Sequence, residues 1–246
     1  MIPWSKRKIM KLPVWSALPM FLLGLGSAQA GLCDVPFMHD GGQVQLTGSG
    51  FLAMGADLAF SDVTKSGGDH CSARVRGQAN IALAGLPASK PKIDYIMTVR
   101  DGRASFQRDD GRGGLEPVKG SFDLRLVGLF SYDLNTLREG QTFPRQDFQI
   151  QLDKRAQTDP LRIRTGTKMV GAVQAIDTSQ GNHQCWPIRY QREIEPTQAS
   201  FSGITLPLPG VNSQVTDWYC PELQMVMKQE SVQNGATSLV DVTQLK

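Results

Sequence analysis

The chain has 246 residues, of which 40% are hydrophobic and 20% are charged, with 26 Lys and Arg against 23 Asp and Glu. This composition is that of a folded globular protein and excludes a disordered chain. The basic excess lies in the first thirty residues, which hold four basic and no acidic residues, so the remainder has 22 basic against 23 acidic residues. A net charge of −1 in that remainder gives no basis for binding nucleic acid.

The segment 1–30 has the three-part layout of a secretory signal peptide. It begins with a basic cluster, Lys6, Arg7, Lys8 and Lys11. The apolar core from Leu12 to Gly26 is shorter than the roughly 20 residues that a spanning helix needs. The small residues of Ala28-Gln29-Ala30 predict cleavage after Ala30. We therefore expect a periplasmic protein, or alternatively a secreted one, without a permanent membrane span after cleavage.

Two alternatives concern the ends of this segment. Met10, followed by Lys11, would open a shorter signal peptide, so translation could start at either Met1 or Met10. Cys33 lies near the cleavage site, which raises a lipoprotein alternative. Leu32 stands where a lipobox has a small residue, and this disfavours lipidation.

Cysteines indicate how the exported part is cross-linked, since all four lie in it: Cys33, Cys71, Cys185 and Cys220. An even count in an oxidising compartment predicts disulfides. Of the three possible pairings we favour Cys33 with Cys71 and Cys185 with Cys220, because each closes a moderate loop within one structural unit. No CxxC motif occurs, which disfavours a zinc site and thioredoxin-like chemistry. We expect neither a metal nor a cofactor.

The main pattern along the chain is an alternation of apolar and polar residues, which is typical of half-buried strands. It runs through 73–83 and 93–99 and resumes after Asp101-Gly102, a two-residue hairpin signal. Further alternating runs cover 122–126, 148–152, 161–164, 186–191, 223–228 and 238–245.

These runs predict a mainly β protein, built as a large curved antiparallel sheet (a half-barrel or open barrel) with little helix. Phe51–Phe60 fits either a short helix or a strand. The segment 205–214, which contains Pro207 and Pro209, predicts a long turn region. We expect one β-rich domain over 31–246, composed of the halves 31–135 and 136–246.

Two aromatic motifs mark the C-terminal part of the chain. One is Cys185-Trp186-Pro187-Ile188-Arg189-Tyr190, and the other is Trp218-Tyr219-Cys220-Pro221-Glu222-Leu223, which precedes the predicted strand Met225–Glu230. Their order resembles a family of periplasmic β-rich proteins of unknown function called TapB-like, similar in outline to lipoprotein-carrier-like β folds. The resemblance covers roughly the last half of the chain and implies a sheet wrapped around an apolar concave face. It supplies no catalytic residues.

Six side chains of this region are candidates for the wall of a hydrophobic ligand site: Trp186, Tyr190, Trp218, Tyr219, Met225 and Met227. Aromatic and methionine side chains make adaptable walls for apolar ligands. The alternative is that they form the hydrophobic core, because large aromatics dominate core burial.

No catalytic motif is evident in the sequence. Asp177-Thr178-Ser179 lacks the glycine and the second copy of an aspartic protease, and no Gly-x-Ser-x-Gly occurs. We therefore predict a non-enzymatic protein that binds a hydrophobic small molecule or an envelope partner on the concave sheet face. The alternatives are a structural or interaction module of the envelope, and a hydrolase that uses a histidine, His39, His70 or His183.

Overall fold

The computed structural model describes residues 31–67, 70–83, 85–118, 122–132, 137–150, 160–201 and 204–246. The predicted signal peptide lies outside these residues, as do Gln151 and Leu152 of one predicted strand. Within them, a 16-stranded sheet holds all strands except one two-stranded ribbon, and every strand pair is antiparallel. The sheet is open, so the predicted mainly β architecture is confirmed.

The N-terminal half of the sheet contains β1 (Gln43–Ser49), β2 (Leu52–Lys65), β3 (Cys71–Leu83), β4 (Leu86–Ser89), β5 (Lys92–Arg100), β6 (Arg103–Asp109) and β7 (Leu115–Pro117). The strands lie in the order β7-β6-β5-β3-β2-β1, with β4 beside β3. The ambiguous Phe51–Phe60 segment belongs to strand β2 from Leu52 onward. Asp101 and Gly102 have φ angles of 50° and 72° and form the predicted hairpin turn between β5 and β6.

The C-terminal half of the sheet contains β8 (Thr142–Phe143), β9 (Asp147–Ile150), β10 (Leu161–Thr165), β11 (Lys168–Val170), β12 (Gln174–Thr178), β13 (Gly181–Ile194), β16 (Val211–Cys220), β17 (Met225–Gln233) and β18 (Ala236–Leu245). Strands β18-β17-β16-β13-β10-β9 follow one another across it. Strand β18 pairs with β1, with Thr47 opposite Asp241, so the two halves form one continuous sheet.

The separate ribbon consists of β14 (Thr197–Phe201) and β15 (Ile204–Leu208). The long turn predicted over 205–214 was therefore wrong. Pro207 lies opposite Gln198 in this ribbon. A two-stranded ribbon leaves one edge of each strand unpaired, and an edge tolerates a residue without an N–H group.

The connection between the two halves contains a short 3-10 helix, Leu124–Val127, where the alternation predicted a strand. Asp123 caps the helix by accepting a hydrogen bond from the Arg125 amide, and Gly128 ends it with a φ of 82°. The strand prediction was wrong because Phe122, Leu124 and Leu126 are all buried by surrounding strands. Apolar residues therefore alternate with polar ones in this segment although it does not pair in a sheet.

We call residues 122–132 the crossing segment, because it runs over the inner face of the sheet, the face on which the core lies. Its side chains are at most 8% exposed at seven positions: Phe122, Leu124, Leu126, Val127, Leu129, Phe130 and Tyr132. The Phe130 ring lies 6.0 Å from that of Phe37 and 5.8 Å from that of Phe106. The apolar inner face is thus covered by the chain itself.

Two disulfides hold this arrangement. Cys33 bonds Cys71 on β3, and Cys185 on β13 bonds Cys220 on β16, which is the pairing favoured from the sequence. Loops of 38 and 35 residues predict about 4 kcal/mol of stabilisation from each bond. Since Cys33 is 1% exposed and bonded to Cys71, its sulfur has no free valence for a lipid thioether. Among the described residues, no helix has the length and apolarity to cross a membrane.

Candidate functional site

Buried polar side chains are confined to one half of the described structure. All seven lie on the C-terminal half: Thr165, Lys168, Arg192, Ser213, Asp217, Gln224 and Gln229. Three of them carry charge, and charged groups are rarely buried unless they are paired or functional. These charged residues therefore locate the candidate site.

The strand register explains why these charged side chains point inward. Arg192 follows Ile188 and Tyr190 at alternate positions of β13, and Asp217 lies between Val215 and Tyr219 on β16 in the same manner. Side chains two apart on a strand share a face. A charged residue in the apolar register of a strand is the sequence signal that would have identified them.

Asp217 is the centre of a buried polar cluster, which we define as Tyr132, Lys168, Tyr190, Arg192, Asp217 and Gln229. Tyr132 donates a short hydrogen bond to Asp217 Oδ2. Oδ1 of Asp217 accepts from Gln229 Nε2 at 2.7 Å and from the Tyr190 hydroxyl at 3.3 Å. The carboxylate is fully buried, and these three donors replace the water it has lost.

Arg192 and Gln229 hold the crossing segment in place. Arg192 Nη2 donates to Gln229 Oε1 at 2.7 Å, and both side chains donate to the Leu126 carbonyl, at 3.3 and 3.2 Å. This carbonyl belongs to the short helix, whose last carbonyls have no partner within the helix. The two residues thus have a structural role that accounts for their burial.

Lys168 has no comparable role. It is 2% exposed, and its Nζ lies 5.0 Å from the centre of the Tyr132 ring and 4.7 Å from that of Tyr190. These are cation–π distances. Among the described residues, no carboxylate lies within ion-pair distance of Nζ, and no acceptor hydrogen-bonds to it. Burial lowers the pKa of Lys168, an effect that the negative charge of Asp217 partly offsets.

A cavity of about 350 Å³ opens beside Lys168. We call it the seam cavity, because its walls come from the β5–β6 hairpin, the crossing segment and the strands β8 and β11. Phe130, Phe143, Pro144 and Ala104 provide its apolar walls, and Lys168, Arg103, Arg125 and Gln146 provide polar groups. Gln146 Oε1 is buried without a hydrogen-bond donor among the described residues. The volume lies within the usual range for small-molecule sites.

Two larger cavities of about 560 and 730 Å³ lie elsewhere. Their walls are mainly exposed polar residues, such as Arg164 and Glu193 in the first and Thr64 and His70 in the second. Neither is lined by Lys168 or Gln146. The seam cavity is therefore the better candidate in spite of its smaller volume.

The tyrosines around the cluster are held in their neutral form. Burial, followed by the negative charge of Asp217, raises the pKa values of Tyr132 and Tyr190. Burial alone raises that of Tyr219, whose ring lies 6.2 Å from that of Tyr132. These phenols act as hydrogen-bond groups at neutral pH and not as phenolates.

The structure does not gather the six predicted ligand residues into one pocket. Tyr190 belongs to the polar cluster and Tyr219 lies beside it on the inner face, and Trp186 packs against the hydrophobic group that contains Tyr132 and Tyr219. The other three are Trp218, on the opposite face of β16 from Tyr219, and Met225 and Met227 in the main hydrophobic core. The described cavities are lined by other residues, and this favours the core interpretation.

The three histidines lie apart from this site. His183 Nδ1 is 2.8 Å from Glu222 Oε2, and its Nε2 is 3.2 Å from the Gln180 carbonyl. His70 pairs with Asp101 at 3.6 Å, and His39 contacts the Asp40 carbonyl. In the described part of the chain no hydrogen bond joins a histidine to a serine, threonine or cysteine side chain. No group of three metal-ligating side chains is found there either.

Comparisons with known proteins relate this chain to a fold. No family model matches the sequence, and no curated protein matches it. A candidate lipoprotein from Parabacteroides distasonis ATCC 8503 has a similar structure, with 13% identity, a TM-score of 0.50 and coverage of 86% of this chain and 99% of that chain. This similarity shows that the open antiparallel sheet is a known fold.

Two further solved structures are similar at lower scores. One is a candidate exported protein with a YmcC-like fold from Bacteroides fragilis NCTC 9343, with 12% identity, a TM-score of 0.49 and coverage of 86% and 99% of the two chains. The other is the hypothetical lipoprotein YmcC from Escherichia coli (K12), with 8% identity, a TM-score of 0.34 and coverage of 82% and 84%. None of the three is described as TapB-like, so that resemblance stays a prediction.

Proposed function

We propose that the chain is an exported, non-enzymatic protein of the bacterial envelope that binds a small molecule with an apolar body in the seam cavity. Export is supported by the signal layout of residues 1–30 and by two disulfides, which persist in oxidising compartments. The decisive observation for binding is the seam cavity, whose lining includes the aromatic side chains Phe130 and Phe143.

The cavity replaces the concave face as the proposed binding site. The crossing segment and the buried residues Leu32, Val35 and Phe37 already cover that face, and the core they form is close-packed. A ligand there would have to displace several buried aromatic rings. A ligand in the seam cavity would displace only solvent.

Export is tested with the 246-residue precursor expressed in Escherichia coli. We expect the periplasmic fraction to contain a chain that begins at Gly31. Its intact mass should be four hydrogens below that of the reduced chain, because two disulfides have formed. Inhibition of signal peptidase then shows whether the precursor begins at Met1 or Met10. An uncut chain recovered from the cytosol would contradict export.

Binding is tested with a neutral aromatic probe, acetophenone, added to the mature protein. Trp186 and the cavity residue Phe143 both pack against the hydrophobic group that contains Tyr132. A Trp218→Phe variant leaves Trp186 as the single tryptophan reporter in the mature chain. We expect saturable quenching in this variant and its loss when Phe143→Ala is added. Phe51→Ala removes a ring that is 40% exposed and does not line the cavity, and it should leave quenching unchanged. Equal loss with both substitutions would contradict the assigned cavity.

A further inference from the structure

We propose that the seam cavity selects a monoanion, namely a small carboxylate with an apolar body, and that Lys168 is the residue that binds its charged group. This inference rests on the proposed function, because it names the class of ligand for the same cavity. It depends on the position of Lys168 and on the charge balance of the buried residues around it.

The charge balance leaves one positive charge uncompensated. Among the described residues, the polar cluster contains two cations, Lys168 and Arg192, and one carboxylate, Asp217. The neighbouring Arg125 is already paired with Asp123 at 2.6 Å. A buried charge without a partner is strongly unfavourable, and an anion in the cavity would remove that penalty.

The hydrogen bonds of the cluster identify Lys168 as the cation that is left over. All three donors to Asp217 come from other residues, and Arg192 donates to Gln229, Tyr190 and the Leu126 carbonyl. Among the described residues, the attractive contacts of the Lys168 amine are its cation–π contacts with the faces of the Tyr132 and Tyr190 rings. Lys168 lines the cavity, so we place the carboxylate of the ligand beside its amine.

The remaining walls set the other properties of the ligand. Phe143, Pro144 and Ala104 offer apolar surface to an aromatic ring or a short alkyl chain. The polar cluster has a single excess positive charge, and Arg103, the exposed cation of the cavity wall, is not without a partner of its own. This balance matches a monoanion, whereas a doubly charged phosphate would leave a negative charge in excess. Carboxylates are therefore favoured over phosphate monoesters.

The test compares four probes of similar size on the unchanged mature protein by isothermal titration calorimetry: benzoate, acetophenone, benzylamine and phenyl phosphate. A charge-assisted contact with the Lys168 amine should make benzoate bind about 10- to 100-fold more tightly than acetophenone. Benzylamine and phenyl phosphate should bind more weakly than benzoate. Acetate, which lacks the ring, separates recognition of the charge from recognition of the apolar body.

Two variants assign the effect to Lys168. Lys168→Met keeps the length of the side chain and should reduce benzoate binding to the level of acetophenone. Arg189→Met removes an exposed cation of β13 that does not line the cavity, and it should leave both affinities unchanged. The comparison of probes on the unchanged protein remains informative even if Lys168→Met fails to fold.

The outcomes separate this inference from the proposed function. Equal affinities for benzoate and acetophenone would overturn the monoanion preference and leave the cavity as a binding site. A preference for benzoate that survives Lys168→Met would overturn the role of Lys168. If no probe binds, both the inference and the proposed function are contradicted.

Discussion

The two halves of the sheet have the same construction but bury different chemistry. Each half has a meander of antiparallel strands and one disulfide. The N-terminal half buries apolar side chains such as Val75, Ile93 and Met97, with the Tyr95 hydroxyl donating to the Phe122 carbonyl. The C-terminal half buries Lys168, Arg192 and Asp217. The comparison indicates that the second half supplies the buried charges beside the proposed site, whereas the first half contributes the β5–β6 hairpin to the cavity wall.

The largest loss of stability should come from removing the charge of Asp217, at the centre of the C-terminal half. Asp217→Asn preserves shape but leaves Lys168 and Arg192 buried without a carboxylate, so we expect a loss of about 3–5 kcal/mol in the free energy of unfolding. The matched change in the N-terminal half is Tyr95→Phe, which removes the hydrogen bond to the Phe122 carbonyl and should cost about 1 kcal/mol. Urea denaturation at pH 7 measures both, and losses of equal size would break the contrast between the halves.

The next effect tests how closely the crossing segment approaches the C-terminal half. A Cβ on Gly128 would lie 2.8 Å from Val226 Cβ, and Gly128 has a φ of 82°. Strain and overpacking together should make Gly128→Ala cost about 2–4 kcal/mol. Gly140 has a similar φ of 78° and nothing near its Cβ position, so Gly140→Ala should cost only about 1 kcal/mol.

Thermal unfolding of the two glycine variants distinguishes crowding from backbone strain. If both lose the same stability, the contact between Gly128 and Val226 does not contribute. A partial recovery in the double variant Gly128→Ala with Val226→Ala would assign the extra loss to that contact.

A smaller effect is expected at alkaline pH from the tyrosines of the C-terminal half. Their folded pKa values lie above the unfolded value near 10. The fold therefore retains protons that the unfolded chain releases, and stability falls as the pH rises above about 10, by about 1.4 kcal/mol per unit for each such tyrosine. Urea midpoints between pH 9 and 11 should fall less steeply in Tyr219→Phe than in the unchanged protein. Identical slopes would show that Tyr219 ionises equally in both states.

The smallest expected effect is a gain in stability instead of a loss. Since burial lowers the pKa of Lys168, the fold disfavours its charged form, and Lys168→Met should raise stability at pH 7 by about 1 kcal/mol. The gain should vanish as the pH rises above the unfolded lysine pKa of about 10.4, because neither state then carries the charge. A loss of stability at pH 7 would show that Lys168 is a structural residue of the core.

Sequence pattern predicts the strands better than it predicts the site. Alternation identifies β3, β5 and β13 because each has one face in the core, and Asp101-Gly102 identifies the turn that its φ angles require. The same alternation failed at the crossing segment, whose side chains are buried without strand pairing. Alternation in the sequence therefore does not distinguish a strand with one face in the core from a segment that is buried without strand pairing.

The buried polar cluster was not predicted because it depends on contacts between distant segments. Lys168, Arg192 and Asp217 are separated in sequence and meet only when β11, β13 and β16 pair and the crossing segment covers them. The aromatic residues Trp186 and Tyr219 were predicted as site residues for their type, although they pack beside the cluster. The position of charged residues within an inward strand register was the more informative signal.

The most direct test of the buried, uncompensated amine is the pKa of Lys168 itself, measured by NMR on protein labelled with ¹³C and ¹⁵N at lysine and assigned with Lys168→Met. We predict a Lys168 pKa below the ordinary lysine value in the free protein, and an upward shift when benzoate saturates the seam cavity. A Lys168 pKa equal to the ordinary lysine value and unaffected by benzoate would contradict the account.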